Sequence, residues 1–447
     1  MEKAAIRKEF LRYILLSVFG TLGVSCYILV DTYFVAEGLG SNGLAALNIA
    51  IPAYNLIHGT GLMIGMGAAT KFSICKSQGN QGLVNRIFTN TMYLALGFSI
   101  VYMLPAFFCS RQIASLLGAN AEILELTNTY LQTLMLFSPA LILNNIFLCL
   151  LRNDGSPQLA MMATLMGSCS NMLMDYIFIF PCKMGMLGAI LATGISPILS
   201  MLMMMPHWLK HKNTFHFIKT KIDFRIMGWD LSIGFPSFVA QISTGIVMIT
   251  FNAIILSLEG NIGIAAYGVI ANIALVVTGI HTGIGQGVQP LISRYYGQGD
   301  HDKLHVVYRY AKITAFAASA LMYGVIFFFA APITAVFNSE GSATLQAISE
   351  LGLKLYFISA PFVGYNTILA TYFTSIEKTL PAHILSILRG LILILPIAFI
   401  LAHFGQMTGV WLAYPVTEFI AAILGFVFFN VLMKKQKQRK WNRTQAV

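Results

Sequence analysis

The sequence predicts an all-α polytopic membrane protein: twelve transmembrane helices in two pseudo-symmetric six-helix lobes around a central cleft. Three observations carry that prediction. Hydrophobic residues make up 57% of the 447 positions and charged residues only 10%, where a soluble domain usually carries about 25% charged residues. Apolar stretches of about 20 residues, the length a helix needs to cross a bilayer core, recur along the whole chain. A pattern of glycines, glutamines and prolines in the first half also returns in the second half, displaced by 220 to 224 residues.

The spans are expected, in order, near 10–35, 44–70, 88–108, 126–150, 158–180 and 186–206, then 231–257, 261–291, 309–334, 349–375, 382–402 and 408–433. The segment from Met1 to Arg12 is basic and polar. The apolar run behind it is too long for a signal-peptide core and no small-residue cleavage site follows, so it is expected to stay as the first helix. Residues 1–206 form the expected first lobe, 207–230 ("HWLKHKNTFHFIKTKIDFRIMGWD") a polar linker, 231–433 the second lobe and 434–447 a basic tail.

A formal charge of +11 could suggest a nucleic-acid partner, but the basic residues sit in short loops and at the ends of the chain. That is how a membrane protein marks its cytoplasmic face. Lys3, Arg7, Lys8, Arg12, Lys71, Lys76, Arg86, Arg152, the 210–225 linker, Arg294, Lys303, Arg309, Lys312, Lys378 and the tail fall on one side of a twelve-span topology. The other side collects Arg111, Lys183 and Lys354. Both termini are therefore expected in the cytoplasm, in a plasma-membrane protein that acts as a monomer and binds no nucleic acid.

The repeat is sought before any site, because it governs how sites are read. Gly65-x-Gly67 followed by Gln78-Gly79 returns as Gly285-x-Gly287 followed by Gln298-Gly299. Pro139 and Pro157 in turn match Pro361 and Pro381. Six helices per unit is an even number, so both units enter the membrane in the same direction and are related by an axis along its normal. Gly61-x-x-x-Gly65 and Gly283-x-x-x-Gly287 have the spacing that lets helix backbones approach closely.

The chain has no G-x-x-x-x-G-K-[ST] loop, no H-E-x-x-H and no nucleophile elbow, which argues against an ATP-driven pump and against a membrane-embedded hydrolase. Its six cysteines form no C-x-x-C pair and read as small apolar side chains. What remains are ionisable groups at membrane depth, which cost a few kcal/mol each and are normally kept for function. These are Asp31, Asp175, Glu418 and Arg389, with His58 and His281 as titratable candidates.

Asn171 and Asp175 are four apart and so share a helix face, offering an amide oxygen and a carboxylate as hard cation ligands. Tyr27 stands in the same relation to Asp31, and Thr193 supplies another oxygen from the sixth span. Asp31, Asn171, Asp175 and Thr193 together form a candidate proton or Na+ site in the first lobe, Asp175 alternatively pairing with a lipid head group or a helix end. Positions displaced by the repeat from the two acids fall near Phe251 and Phe399, so only one half keeps this pair. Asn144, Asn145, Gln241, Asn252 and Asn272, with Arg389 and Glu418, mark a possible cavity or helix-to-helix hydrogen bonds.

On "VDTYFVAEGLGSNGLAAL", "SPALILNNIFLCLLRNDGSPQ" and "AAYGVIANIALVVTGIHTGIGQGVQPLISRYYGQGD" the chain resembles the multidrug and toxic compound extrusion (MATE) family, in its DinF-like and MepA-like branch. The resemblance covers nearly the whole chain. It implies a first-lobe cation site built from an Asp of helix one, an Asn and an Asp four apart on helix five and a Thr of helix six, which here are Asp31, Asn171, Asp175 and Thr193. The family's other acidic site, on helices seven and ten, has no match: Gln241 and Thr244 stand where a helix-seven acid would be. Some members bend helix one at a proline, but the first proline here is Pro52.

The function expected is secondary active efflux of organic cations or amphipathic drugs by antiport with Na+ or H+ through alternating access, with no cofactor beyond the coupling ion. A flippase for lipids or lipid-linked oligosaccharides is the alternative. Carboxylate, amide and hydroxyl oxygens serve sodium and protons alike, so the residues leave the ion open.

Overall fold

The computed structural model describes residues 2–338 and 341–445, and among them every regular element is helical. The expected basic tail lies outside the described residues for its last two positions and for the side chains beyond Lys434.

Three helices are too long for one crossing. Helix α1 (Glu2–Ser77, 76 residues) would extend for about 110 Å at 1.5 Å per residue, and it breaks instead at Gly40 (φ 67°, ψ −162°). Helix α9 (Phe224–Gly297) breaks at Gly260 (φ 61°, ψ −147°) and α15 (Ile394–Gln445) at Gln406 (φ 48°, ψ −134°). Backbone in this region is nearly reserved for glycine, which is why two of the three hairpin tips carry one.

Between them run α2 (Gln81–Phe108), α3 (Ser110–Leu116), α4 (Leu124–Leu136), α5 (Ser138–Asn153), α6 (Pro157–Ile179), α7 (Gly185–Met204) and the single turn α8 (Pro206–Leu209). After α9 come α10 (His301–Phe328), α11 (Ala330–Phe337), α12 (Ala343–Tyr356), α13 (Ala360–Ser375) and α14 (Thr379–Ile387). Helices α4 and α5 form one span bent by 50°. A 3-10 turn (Phe357–Ser359) joins α12 to α13, and a π turn (Leu388–Ile392) joins α14 to α15. Each long helix counted as two limbs and each joined pair as one span, the described residues give the twelve rods expected, in the expected order.

The internal repeat is visible in the backbone. The tips Gly40 and Gly260 are 220 residues apart, as are the left-handed turn glycines Gly79 (φ 76°) and Gly299 (φ 72°). Asn80 Oδ1 accepts from the Leu83 N–H (3.1 Å) and Asp300 Oδ1 from the Lys303 N–H (3.0 Å), the same cap at the same displacement. Helices α2 and α10 are both 28 residues long and each is followed by a short helix.

The chain divides into two compact units: residues up to Gly245 with Thr278–Ala311 and Thr374–Glu377, and Ile246–Val277 with Lys312–Phe373 and Lys378 onward. In the first unit, α1 packs on α2, α4, α5 and α6, and α6 on α7. Glycines set the close approaches: a Cβ on Gly61 or Gly65 would lie 3.0 and 3.1 Å from the Cα atoms of Ile142 and Ile146. The later limb of α9 presents Gly279, Gly283 and Gly287, one per turn, against Ser25, Thr21 and Ile14 of α1. In the second unit, Phe251, Ile270, Leu353, Phe357 and Trp411 form the buried core.

The polar segment read as an inter-lobe linker is strapped to the first unit. Phe215 is buried against Phe72 and Phe88. The N–H groups of His216, Ile218 and Asp223 donate to Asn85 Oδ1 (3.0 Å), Thr89 Oγ1 (3.1 Å) and Asn90 Oδ1 (2.7 Å), all on one face of α2. Its last residues are already helical, because Asp223 accepts from the N–H groups of Arg225 and Ile226 and so starts α9 seven residues earlier than the apolar run suggests.

Candidate ion-binding site

Helix α6 buries Gly167, Asn171, Asp175 and Ile179, one residue per turn, while Leu173 and Tyr176 are exposed. That stripe faces the first limb of α1 and the middle of α7, and it brings Asp31, Asn171, Asp175 and Thr193 together. All four are buried, with 9%, 1%, 0% and 6% of their surfaces exposed. At so little exposure bulk water does not reach these groups, and a buried polar atom is costly unless it is paired.

The Asp31 and Asp175 carboxyl groups meet within hydrogen-bond range. The Asn171 side chain bridges α6 and α7: with its amide turned to the orientation that satisfies both ends, the nitrogen donates to Asp175 Oδ2 (3.0 Å) and the oxygen accepts from the Thr193 N–H (3.2 Å). Asp31 Oδ1 and Asp175 Oδ1 are buried with no hydrogen-bond partner among the described residues. Two facing carboxylates repel unless a proton or a cation lies between them. The orphan oxygens are donors that suit either H+ or a small hard cation such as Na+.

Three tyrosines close the site, two of them missed by sequence reasoning. Tyr130 of α4 is buried, hydrogen-bonds with Thr193 and lies at electrostatic range of both acids. The Tyr27 hydroxyl, expected near Asp31, is shared with the Tyr54 hydroxyl at 3.0 Å. Tyr54 stacks on His58 (5.5 Å, 10°), whose Nδ1 meets the Asn145 amide at 3.1 Å. A polar ladder thus runs from the acids down α1 to α5. Neither Tyr54 nor Tyr130 belongs to a spaced motif, which is why nothing in the sequence singled them out.

The remaining candidates fall elsewhere. Asn145 serves the ladder, and Asn144 is half-buried with its Oδ1 lacking a partner among the described residues. Gln241 packs on Gly59. Asn252 and Asn272 are half-buried in the second unit. Arg389 and Glu418 pair with one another there, Arg389 Nε donating to Glu418 Oε1 at 3.0 Å. His281 is buried in the first unit.

One further buried acid was counted with the linker. Asp230 has no exposed surface and accepts from Thr91 Oγ1 at 2.8 Å, with its other oxygen unpartnered among the described residues.

At the loop end of the first unit, Asp154 gathers the ends of several helices. Its carboxylate accepts from His207 Nε2 (2.8 Å) and the Thr214 N–H (3.0 Å), and also from the Lys76 ammonium and the Thr214 hydroxyl. Burial alone would raise its pKa, but those donors hold the carboxyl below the usual carboxylate range. Arg294 binds Glu9 in a two-pronged pair (2.8 and 2.7 Å), and Lys71 pairs with Glu377.

The chain as a whole is similar to known proteins. The MatE family model matches residues 17–177 and 236–400. The chain is 25% identical over 435 residues to a multidrug export protein MepA of Staphylococcus saprophyticus, covering 96% of this chain and 95% of that one. MepA of Staphylococcus aureus strain MRSA252 is 25% identical over 436 residues, with the same coverage. In fold it is similar to an outward-facing multidrug resistance MATE family transporter of the MOP superfamily (TM-score 0.91, 23% identity, 97% of each chain). It is also similar to a Pyrococcus furiosus MOP superfamily transporter whose reverse binding-pocket polarity suggests a different function (TM-score 0.89, 23% identity, 97% of each chain).

Proposed function

The chain belongs to the MatE family, and on that premise we propose that it is a secondary active exporter of organic cations or amphipathic drugs, driven by antiport with Na+ or H+. The facing Asp31 and Asp175, each with a buried orphan oxygen, carry this reading. It makes the protein a carrier in the plasma membrane, with both termini in the cytoplasm, working as a monomer and without a cofactor.

In this reading the pair binds the coupling ion, and Asn171 and Thr193 hold the acids in register. An ion can shift a two-state protein only by its difference in affinity for the two states. Loading the pair removes the repulsion between the carboxylates, and the state that brings them together gains accordingly. A cationic substrate bound near the same acids favours the unloaded pair, so ion and substrate oppose one another, which is the thermodynamic content of antiport.

The test is ethidium or norfloxacin efflux from cells expressing wild type, Asp31→Asn or Asp175→Asn, with the sodium and proton gradients collapsed separately. Loss of efflux in both variants, matched by loss when one gradient is collapsed, supports the reading and names the ion. Full efflux in both variants overturns the assigned pair. No drug efflux from wild type, together with an altered cell-surface glycan, would favour the flippase.

A further inference from the structure

The second unit holds a charged site of its own. Arg389 lies on the π turn, Glu418 on the second limb of α15 and Asn366 on α13. Each is roughly 15 Å along its rod from the nearer end at 1.5 Å per residue, which is the middle of a hydrocarbon core about 30 Å thick. Glu418 is only 2% exposed at its side chain and Arg389 19%.

The donors divide between the two carboxylate oxygens. Arg389 gives both Nε (3.0 Å) and a terminal nitrogen (3.0 Å) to Oε1. Asn366 gives its amide to Oε2 (2.8 Å) and also to the Glu418 backbone oxygen (2.9 Å), which fixes the acid in place. Tyr414 adds a hydrogen bond to the guanidinium and stacks on Tyr356 (4.9 Å, 7°). At Asp31 and Asp175, by contrast, no Lys or Arg is paired with either acid among the described residues, and each acid keeps a buried oxygen with no partner there.

We infer that Glu418 is a cation site of the second half whose cation is built in: the Arg389 guanidinium occupies the place that a free monovalent cation would otherwise take. A lone carboxylate at mid-membrane needs a counter-charge, and here the chain supplies it on a tether. A π turn adds one residue to a helical turn and is frequent at functional sites; in this chain Arg389 rides on it. In the wild type the second half therefore binds no free cation. Shortening Arg389 exposes the site to solution cations, planar guanidinium ions first, because the carboxylate is already shaped to that donor.

Chemical rescue tests this. Purified full-length wild type, Arg389→Ala and Arg389→Ala/Glu418→Gln are melted with increasing methylguanidinium at millimolar, non-denaturing concentrations, with neutral N-methylurea as the isosteric control. A cation that binds only the folded state raises the melting temperature in a saturable way. The expected result is a saturable upward shift in Arg389→Ala with methylguanidinium alone, and none in wild type or the double variant. Equal effects of methylguanidinium and N-methylurea, or a shift that persists without the Glu418 carboxylate, would overturn the inference. If Arg389→Ala does not fold, Arg389→Gln takes its place and the same outcomes decide. The experiment reads no transport, so it stands or falls apart from the role proposed for Asp31 and Asp175.

Discussion

Thr193 and Asp154 show how the surroundings of a side chain set its task. Thr193 is buried one hydrogen bond away from Asp175 through Asn171, and its hydroxyl also donates to the Ala189 carbonyl at 3.3 Å. Thr193→Val keeps the shape and removes that oxygen. With a neutral hydrogen bond worth a net 0.5–1.5 kcal/mol or so, the ion concentration for half-maximal efflux should rise roughly two- to twelvefold. Flux measured against external Na+ and pH checks it, with monodisperse elution as the control for folding. Asp154 sits among donors that favour its charged form. A depressed pKa contributes stability that is present above the unfolded value of about 3.9 and is lost as pH falls through the folded one. Wild type should therefore melt higher than Asp154→Asn at neutral pH, and the gap should close in the acid range below about pH 4; a gap independent of pH would contradict this. That the four residues of the proposed ion site come together was legible from a spacing of four on one helix, charge at membrane depth and a hydroxyl in the middle of the sixth span. Tyr54 and Tyr130 were not, since tyrosine in an apolar run is unremarkable until the fold puts it beside an acid. Asp230 was hidden because Asp223 caps α9 early, turning what looked like linker into helix.

At the scale of elements, glycines separate into those that turn the chain and those that let it approach. A Cβ on Gly67 would lie 1.8 Å from the Asp230 carbonyl oxygen, and one on Gly234 would lie 1.7 Å from that of Met63. Neither obstacle is a flexible side-chain end. Gly67→Ala should thus cost at least about 1–3 kcal/mol, the range typical of overpacking, whereas Gly82→Ala, with nothing within 4 Å, should be close to neutral. Gly40→Ala meets no atom either, yet it forces a side chain into backbone reserved for glycine, at a cost of about 1–3 kcal/mol. Melting temperatures of the three variants, in the order Gly82→Ala above Gly40→Ala and Gly67→Ala, check both mechanisms. The number and order of spans were readable from hydropathy alone. The 50° bend between α4 and α5 and the π turn at Arg389 were not, because both depend on packing that no local pattern encodes. The tips at Gly40 and Gly260 lie on the repeat's own displacement, although the landmarks that revealed it were other residues.

For the whole molecule, the distribution of Lys and Arg predicts orientation. A C-terminal fluorescent-protein fusion should glow and an alkaline phosphatase fusion at the same point should be inactive, since the first folds only in the cytoplasm and the second only outside; the reverse pattern would overturn the cytoplasmic assignment. The two halves share a backbone plan but not a chemistry: among the described residues no Lys or Arg is paired with Asp31 or Asp175 in one, while Glu418 in the other is matched by Arg389. The proposed exchange of ion for substrate is accordingly a task of the first half alone. The most direct test is to add substrate to the purified protein in weakly buffered detergent solution and record ion release, with a pH dye for H+ and preloaded 22Na+ for sodium. The account predicts that wild type releases one of the two ions in proportion to bound substrate, and that Asp31→Asn/Asp175→Asn binds substrate without releasing either. Equal release from the double variant, or substrate binding to wild type with no ion released, would contradict it.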